Sequence, residues 1–117
     1  EVKYPPTTLP STKAIVAVDI YGYPCELDEL RAIAGRHGLA LIGDACEALG
    51  AEYNGQPLGS HGVPSVFAFY PNKQITTGEG GMFVTQDAEL FALAHAGFCA
   101  QPVCLVAEHF RGTSHPT

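Results

Sequence analysis

The chain has 117 residues, enough for one domain with a modest core, and 46% of it is hydrophobic against 15% charged, a packed rather than a disordered composition. Net charge is −6, from 6 basic and 12 acidic side chains, and with no basic cluster to neutralise phosphates the chain is not read as a nucleic-acid binder. No apolar run approaches the roughly 20 residues of a membrane helix, and Glu1-Val2-Lys3-Tyr4-Pro5-Pro6 shows no signal-peptide pattern, so no membrane partner and a cytoplasmic location are expected.

Residues 1–12 contain Pro5, Pro6 and Pro10 and read as a connector without a helix or strand. Ala14-Ile15-Val16-Ala17-Val18-Asp19-Ile20 is a continuous apolar, β-branched run, predicted to be a strand buried on both faces as in a parallel sheet. Tyr21-Gly22-Tyr23-Pro24 breaks it. Leu27 to Gly38 follows as an amphipathic helix: Leu27, Leu30, Ile33 and Ala34 keep the helical spacing, the acids come early, Arg36 and His37 come late, and Gly38 is the stop signal. Leu39-Ala40-Leu41-Ile42 is the next strand. Strand, helix and strand in about thirty residues make a βαβ unit with a right-handed crossover. The fold class is therefore α/β, a mostly parallel sheet with flanking helices.

Asp44 is placed just past the carboxyl end of the second strand, and Ala45-Cys46-Glu47-Ala48-Leu49 is expected to begin a short helix. Ala51 to Leu58 reads as a small hairpin turning at Asn54-Gly55. Ser65 to Phe69 and Gly81 to Thr85 are further strands, and Asp87 caps a helix from about Ala88 to Ala96. Phe98 to Thr117 carries no assignable pattern. Cys25, Cys46, Cys99 and Cys104 match no paired CxxC or Cys/His zinc spacing and are read as buried free thiols, with no metal site expected.

The chemistry concentrates in two places. Phe67-Ala68-Phe69-Tyr70-Pro71-Asn72-Lys73-Gln74-Ile75-Thr76-Thr77-Gly78-Glu79-Gly80-Gly81 sets one lysine between a strand and a loop of hydroxyl, acidic and glycine residues. Asp44 and Lys73 both follow predicted strands, and in open α/β sheets ligands bind outside the carboxyl ends of the strands. An amine that forms an imine with an aldehyde, and a carboxylate that keeps a ring nitrogen protonated, are what pyridoxal phosphate requires. An aspartate after a strand is commonly a helix cap and a loop lysine commonly a solvated charge, so spacing alone does not select this chemistry. Thr76 and Thr77 either assist at the cofactor or satisfy loop backbone groups, and Glu79 is a candidate to fix the loop. Asp19 either positions a substrate or holds Tyr21-Gly22. His61 reads as a surface loop residue, and His109 and His115 are not read as metal ligands.

Asp44-Ala45-Cys46-Glu47-Ala48-Leu49-Gly50 followed by Phe69-Tyr70-Pro71-Asn72-Lys73-Gln74-Ile75-Thr76-Thr77-Gly78-Glu79-Gly80-Gly81-Met82 resembles the DegT/DnrJ/EryC1/StrS sugar aminotransferases, from about Thr8 to Leu93. The resemblance implies the large domain of a fold-type-I pyridoxal-phosphate enzyme, with residues 1–97 as its central part and residues 98–117 as an unassigned tail. It implies that Lys73 carries the cofactor as an internal aldimine, that Asp44 pairs with the pyridine nitrogen, and that Glu47 approaches the ring hydroxyl. Glu47 stands where the family usually has glutamine, as in perosamine-synthase-like members. The implied reaction transfers an amino group from glutamate to a nucleotide-linked keto-sugar, at the interface of a homodimer. Relatives that dehydrate sugars carry histidine at the lysine position, so Lys73 favours transamination. The sequence departs from the family at Ala68, where a serine commonly reaches the cofactor phosphate. The family's glycine-threonine phosphate loop and its asparagine-containing segment are not among these residues. A central fragment of a longer enzyme is the expectation; a truncated, catalytically incompetent remnant and a sugar dehydratase are the alternatives.

Overall fold

The computed structural model describes residues 11–98 and 105–109. Most of the connector expected at residues 1–12 lies outside them, as do Cys99, Cys104 and His115. Strand β1 (Ala14–Val18) runs parallel to β2 (Ala40–Asp44), with Val18 opposite Asp44. Helix α1 (Leu27–His37) makes the crossover between them and packs on both. Asp28 and Glu29 open α1 and Arg36 and His37 close it, each suiting the helix dipole. Gly38 ends it at φ 62°, its N–H donating to the Ala34 carbonyl, a left-handed cap that glycine adopts without strain.

Beyond β2 the chain forms a small hairpin, β3 (Glu52–Tyr53) with β4 (Gln56–Pro57). Asn54 and Gly55 both have positive φ, the turn expected of that dipeptide. The chain then re-enters the sheet as β5 (Ser65–Phe69), parallel to β2, and returns as β6 (Gly80–Thr85), antiparallel to β5. Gly81 lies where a β-carbon would come within 3.1 Å of the Phe67 carbonyl oxygen, so its lack of a side chain permits the close β5–β6 approach. Helix α2 (Ala88–Phe98) starts at Asp87, whose Oδ1 accepts the N–H groups of Glu89 (2.8 Å) and Leu90 (3.0 Å). Strand β7 (Leu105–His109) pairs in parallel with β6. The order β1-β2-β5-β6-β7, with three of its four pairings parallel, is the mostly parallel α/β sheet the sequence predicts.

The structure changes the expectation in four places. The first strand stops at Val18, and it is not buried on both faces: Ala17 is buried, but Val16 and Val18 remain 59% and 47% exposed. Among the described residues β1 is an edge strand with β2 as its one neighbour. A run of valine and isoleucine reports strand preference, not how many layers cover the strand. Second, residues 45–49 form turns rather than a helix, the Ala48 N–H donating to the Ala45 carbonyl at 3.0 Å. The Ala45 N–H is bound to the Val66 carbonyl of β5 at 2.9 Å, which holds this segment to the sheet. Third, Cys25 and Cys46 are free but only half-buried. Fourth, α2 runs on to Phe98, and a strand lies within the tail left unassigned from sequence.

The core joins Leu27, Ala45, Ala48, Leu58, Phe67 and Val84, with Leu49, Ala51, Tyr53, Phe69 and Met82 packed against it. It therefore lies directly beneath the segment that follows Asp44. Tyr53 and Asn54 tie the hairpin to the start of α1 through Asp28 Oδ2, at 3.3 and 3.2 Å. Replacing Asp87 by alanine removes a cap that satisfies two N–H groups of α2, and stability should fall by about 1 kcal/mol. Urea unfolding of the two proteins measures this, and an unchanged midpoint would show that the cap does not contribute.

Candidate active site

The parallel register aligns the carboxyl ends of β1 and β2, with Val18 opposite Asp44, while Asp44 lies opposite Val66, so β5 runs on past them to Phe69 before the lysine loop. Asp44 is the last residue of β2 rather than the first beyond it. The Asp19 N–H continues the pairing onto the Asp44 carbonyl at 2.9 Å. Val18, Asp19, Ile20, Asp44, Cys46, Glu47 and Lys73 line one cavity of about 230 Å³ at this end of the sheet. The lysine and the aspartate predicted from sequence thus face a common space, with Glu47 beside them. Glu47 reaches it from a turn, not from the helical face the sequence suggested.

Each of the three carboxylates is held by one backbone N–H. Asp19, only 2% exposed, accepts the Cys25 N–H at 2.8 Å, closing the loop between β1 and α1. That favours its structural reading over substrate positioning. Asp44 Oδ1 accepts the Cys46 N–H at 3.1 Å, which orients the carboxylate toward the cavity. Glu47 Oε2 accepts the Tyr21 N–H at 3.1 Å, and Oε1 lies 3.4 Å from Lys73 Nζ. The Tyr21 N–H first, and Lys73 second, hold the Glu47 carboxyl below its ordinary range.

The lysine loop is closed at its base on one acceptor. The Phe69 carbonyl takes the Thr77 N–H (3.0 Å) and the Thr76 hydroxyl (3.1 Å), while Thr76 Oγ1 accepts the Gly78 N–H (3.0 Å). Thr76 therefore satisfies loop backbone, the second of its two readings, and it ties the loop where Glu79 was the candidate. Lys73 itself donates its N–H to the Tyr70 carbonyl at 3.0 Å. Gln74 Nε2 donates to the Glu47 carbonyl at 2.8 Å, fastening the lysine loop to the Asp44 segment. His61 is a loop residue, its Nε2 3.0 Å from the Gln56 carbonyl oxygen and its ring edge-on to Tyr53. Among the described residues no group of three or more His, Cys, Asp or Glu is placed to hold a metal ion.

Sequence reading missed three groups that border Lys73. A second, open depression of about 450 Å³ shares Glu47 and Lys73 with the cavity and is completed by Tyr21, Asn72 and Gln74. Tyr21 had been read only as part of a strand break. Asn72 and Gln74 flank the lysine in sequence, and that adjacency was the available signal.

The donor set fits the ring end of pyridoxal phosphate. Asp44 offers an acceptor for a protonated pyridine nitrogen, Lys73 offers a primary amine for the aldehyde, and Glu47 lies beside the lysine. The phosphate end has no comparable cradle among the described residues. Ala68 lacks a hydroxyl, and that of Thr76 is committed to the loop.

Residues 7–101 match the model of the DegT/DnrJ/EryC1/StrS aminotransferase family. The chain belongs to this family. The match runs past Leu93, where the sequence resemblance had been judged to stop. Among relatives, it is 51% identical over 83 residues to the GDP-perosamine synthase of Caulobacter vibrioides, covering 71% of this chain and 22% of that protein. Among solved structures it resembles DesI, determined in the presence of its TDP-sugar product, with a TM-score of 0.74 and 44% identity over 77% of this chain and 23% of the other. It also resembles the E. coli GDP-4-keto-6-deoxy-D-mannose-3-dehydratase with bound hydrated pyridoxal phosphate, with a TM-score of 0.65 and 36% identity over 74% of this chain and 22% of that one. The chain thus has the α/β fold of these family members and spans about a fifth to a quarter of their length.

Two thiols give a direct reading of the site's electrostatics. Burial first, then Asp44, pushes Cys46 up to about 11; burial first, then Asp19, does the same for Cys25. At about pH 8 both should be alkylated by iodoacetamide at least about tenfold more slowly than an unperturbed thiol, since the thiolate is the nucleophile. Asp44→Asn removes a charge that raises Cys46 but not one acting on Cys25. Peptide mapping should show faster alkylation at Cys46 alone, and equal rates at Cys46 in the two proteins would contradict the assigned cause.

Proposed function

We propose that this chain supplies the reactive lysine of a pyridoxal-phosphate-dependent sugar aminotransferase, which moves an amino group from glutamate to a nucleotide-linked keto-sugar. Residues 1–97 form the central part of its cofactor-binding large domain, and the complete enzyme works in the cytoplasm as a homodimer. The observation that carries this reading is the convergence of Lys73, Asp44 and Glu47 on one cavity at the carboxyl ends of the strands.

When bound, pyridoxal phosphate supplies an electrophilic carbonyl carbon and an electron-accepting ring. Lys73 Nζ would hold the cofactor through its carbonyl carbon and, as a free amine, would move a proton at the amino donor's α-carbon. Asp44 holds a proton at the pyridine nitrogen. Its orientation is fixed by the Cys46 N–H, so little reorganisation is needed. Glu47 positions the Lys73 amine through Oε1 and is itself fixed by the Tyr21 N–H. Gln74 keeps the two loops in register. The likeness to a dehydratase makes loss of water the reaction to test against. Amino transfer is favoured because Lys73 is a primary amine, whereas an imidazole at this position cannot form an imine.

Incubating the chain with pyridoxal phosphate should produce an imine absorption band and, after borohydride, a cofactor adduct on the Lys73 peptide. Lys73→Ala should lose both. A wild-type chain that shows neither band nor adduct would sink this reading, and water release without glutamate-dependent amination would assign the dehydratase reaction instead.

A further inference from the structure

Tyr21 adopts φ 56° and ψ 23°, the left-handed region that an L-residue with a β-carbon enters at a cost. Gly22 follows at φ 79°, so the turn after β1 needs positive φ twice. The role of Tyr21 within the chain is carried by its backbone, whose N–H holds Glu47 Oε2 at 3.1 Å. Any residue except proline offers that N–H, and glycine would offer it without strain. Tyr21 is 91% exposed, so packing among the described residues does not offset that cost. Strain of this kind persists where the surroundings require it and clusters at ligand sites. Tyr21 borders the open depression beside Lys73, together with Asn72 and Gln74.

We propose that the Tyr21 ring is the platform on which the hexose of a nucleotide-linked sugar stacks, with Asn72 and Gln74 addressing its hydroxyls. This rests on the aminotransferase reading, which puts the sugar's carbonyl carbon at Lys73 and therefore the hexose at the rim of the lysine cavity. A pyranose presents C–H faces that pack on an aromatic ring and hydroxyls that pair with amides, and this depression offers one aromatic ring and two amides. Gln74 Nε2 is already held by the Glu47 carbonyl, which leaves its Oε1 as a fixed acceptor. The acids Asp19, Asp44 and Glu47 nearby disfavour a diphosphate at this point, so the neutral hexose lies here and the nucleotide farther out.

The test uses the full chain and its Tyr21→Phe and Tyr21→Asn variants, titrated with UDP-glucose, UDP and methyl glucoside while saturation-transfer NMR reads which ligand protons touch the protein. Asparagine tolerates the left-handed conformation and keeps the N–H, so Tyr21→Asn removes the ring alone. Saturation should fall on the hexose protons, with affinity kept within about twofold in Tyr21→Phe and weakened at least about fivefold in Tyr21→Asn. Equal affinity in Tyr21→Asn, saturation confined to the uridine protons, or no transfer to the hexose of the wild-type chain would each overturn the platform. So would self-association lost in Tyr21→Asn with unchanged hexose affinity, which would assign the ring to a protein interface. The borohydride adduct on Lys73 is scored in the same samples. Ring-dependent hexose binding without the adduct would fail the aminotransferase reading alone, and an adduct with ring-independent hexose binding would fail the platform alone.

Discussion

The site depends on two alanines that cannot move. Ala45 and Ala48 are each 1% exposed, packed in the cluster that also contains Leu58, Phe67 and Val84. They bracket Cys46 and Glu47, which are half-exposed and border the cavity. With both methyl groups seated in a core near crystalline density, the segment can present its other side chains in one way only. A larger residue at either position would over-pack the core, at about 1–3 kcal/mol, and would displace the carboxylates one or two residues away from it along the chain. Hydrophobic packing thus determines where Asp44 and Glu47 lie, although neither carboxylate belongs to the core.

Packing fixes the carboxylates in space, and backbone amides make their crowding tolerable. Asp19, Asp44 and Glu47 line one cavity whose lining includes a single cation, Lys73. Each acid accepts one main-chain N–H, from Cys25, Cys46 and Tyr21 respectively. Hydrogen bonds to ionised acceptors are stronger than neutral ones and offset like-charge repulsion at short range. Two of the donors, Tyr21 and Cys25, lie in the connection from β1 to α1 and the third in the turn after β2, and the Tyr21–Glu47 bond between the two segments needs β1 and β2 paired in the observed register. For Glu47 the effect appears as a carboxyl held below its usual range, which links the acid to folding in a definite direction. Its contribution is present above the unfolded carboxyl's pKa and is lost as pH falls through the depressed value.

What was legible in the sequence follows from which features have local causes. Helix α1 announces itself through its charge asymmetry and Gly38, and the hairpin through Asn54-Gly55, because caps and turns are set by residues within a few positions. Lys73 and Asp44 were legible because one lies just after a strand and the other at a strand's carboxyl end, and strand ends fix the side of the sheet. The turn at residues 45–49 was not. Two alanines and a leucine favour a helix, but the Ala45 N–H is taken by β5, a partner some twenty positions away that no local pattern reveals. The exposure of β1 depends on which elements lie beside it, and Leu105–His109 is too short and uniform to distinguish a strand from a buried loop. The backbone of Tyr21 was invisible for a different reason: tyrosine is a poor choice at positive φ, so the sequence argues against the conformation it adopts.

The candidate site is also uneven, and the unevenness has a physical origin. The site is assembled at the carboxyl side of the parallel strands β1, β2 and β5: Asp19 follows β1, Asp44 ends β2 and Lys73 lies in the loop after β5. An anion such as a phosphate calls for several convergent N–H or hydroxyl donors, usually at a helix N-terminus or a glycine-rich turn. Neither α-helix among the described residues begins at this cavity: α1 starts behind the loop closed by Asp19, and α2 starts beyond β6. Ala68, on the strand leading into the lysine loop, offers a methyl group where a hydroxyl would have been a donor. The described residues therefore gather an amine and three carboxylates at this cavity, while the convergent donors that a phosphate calls for are not among them.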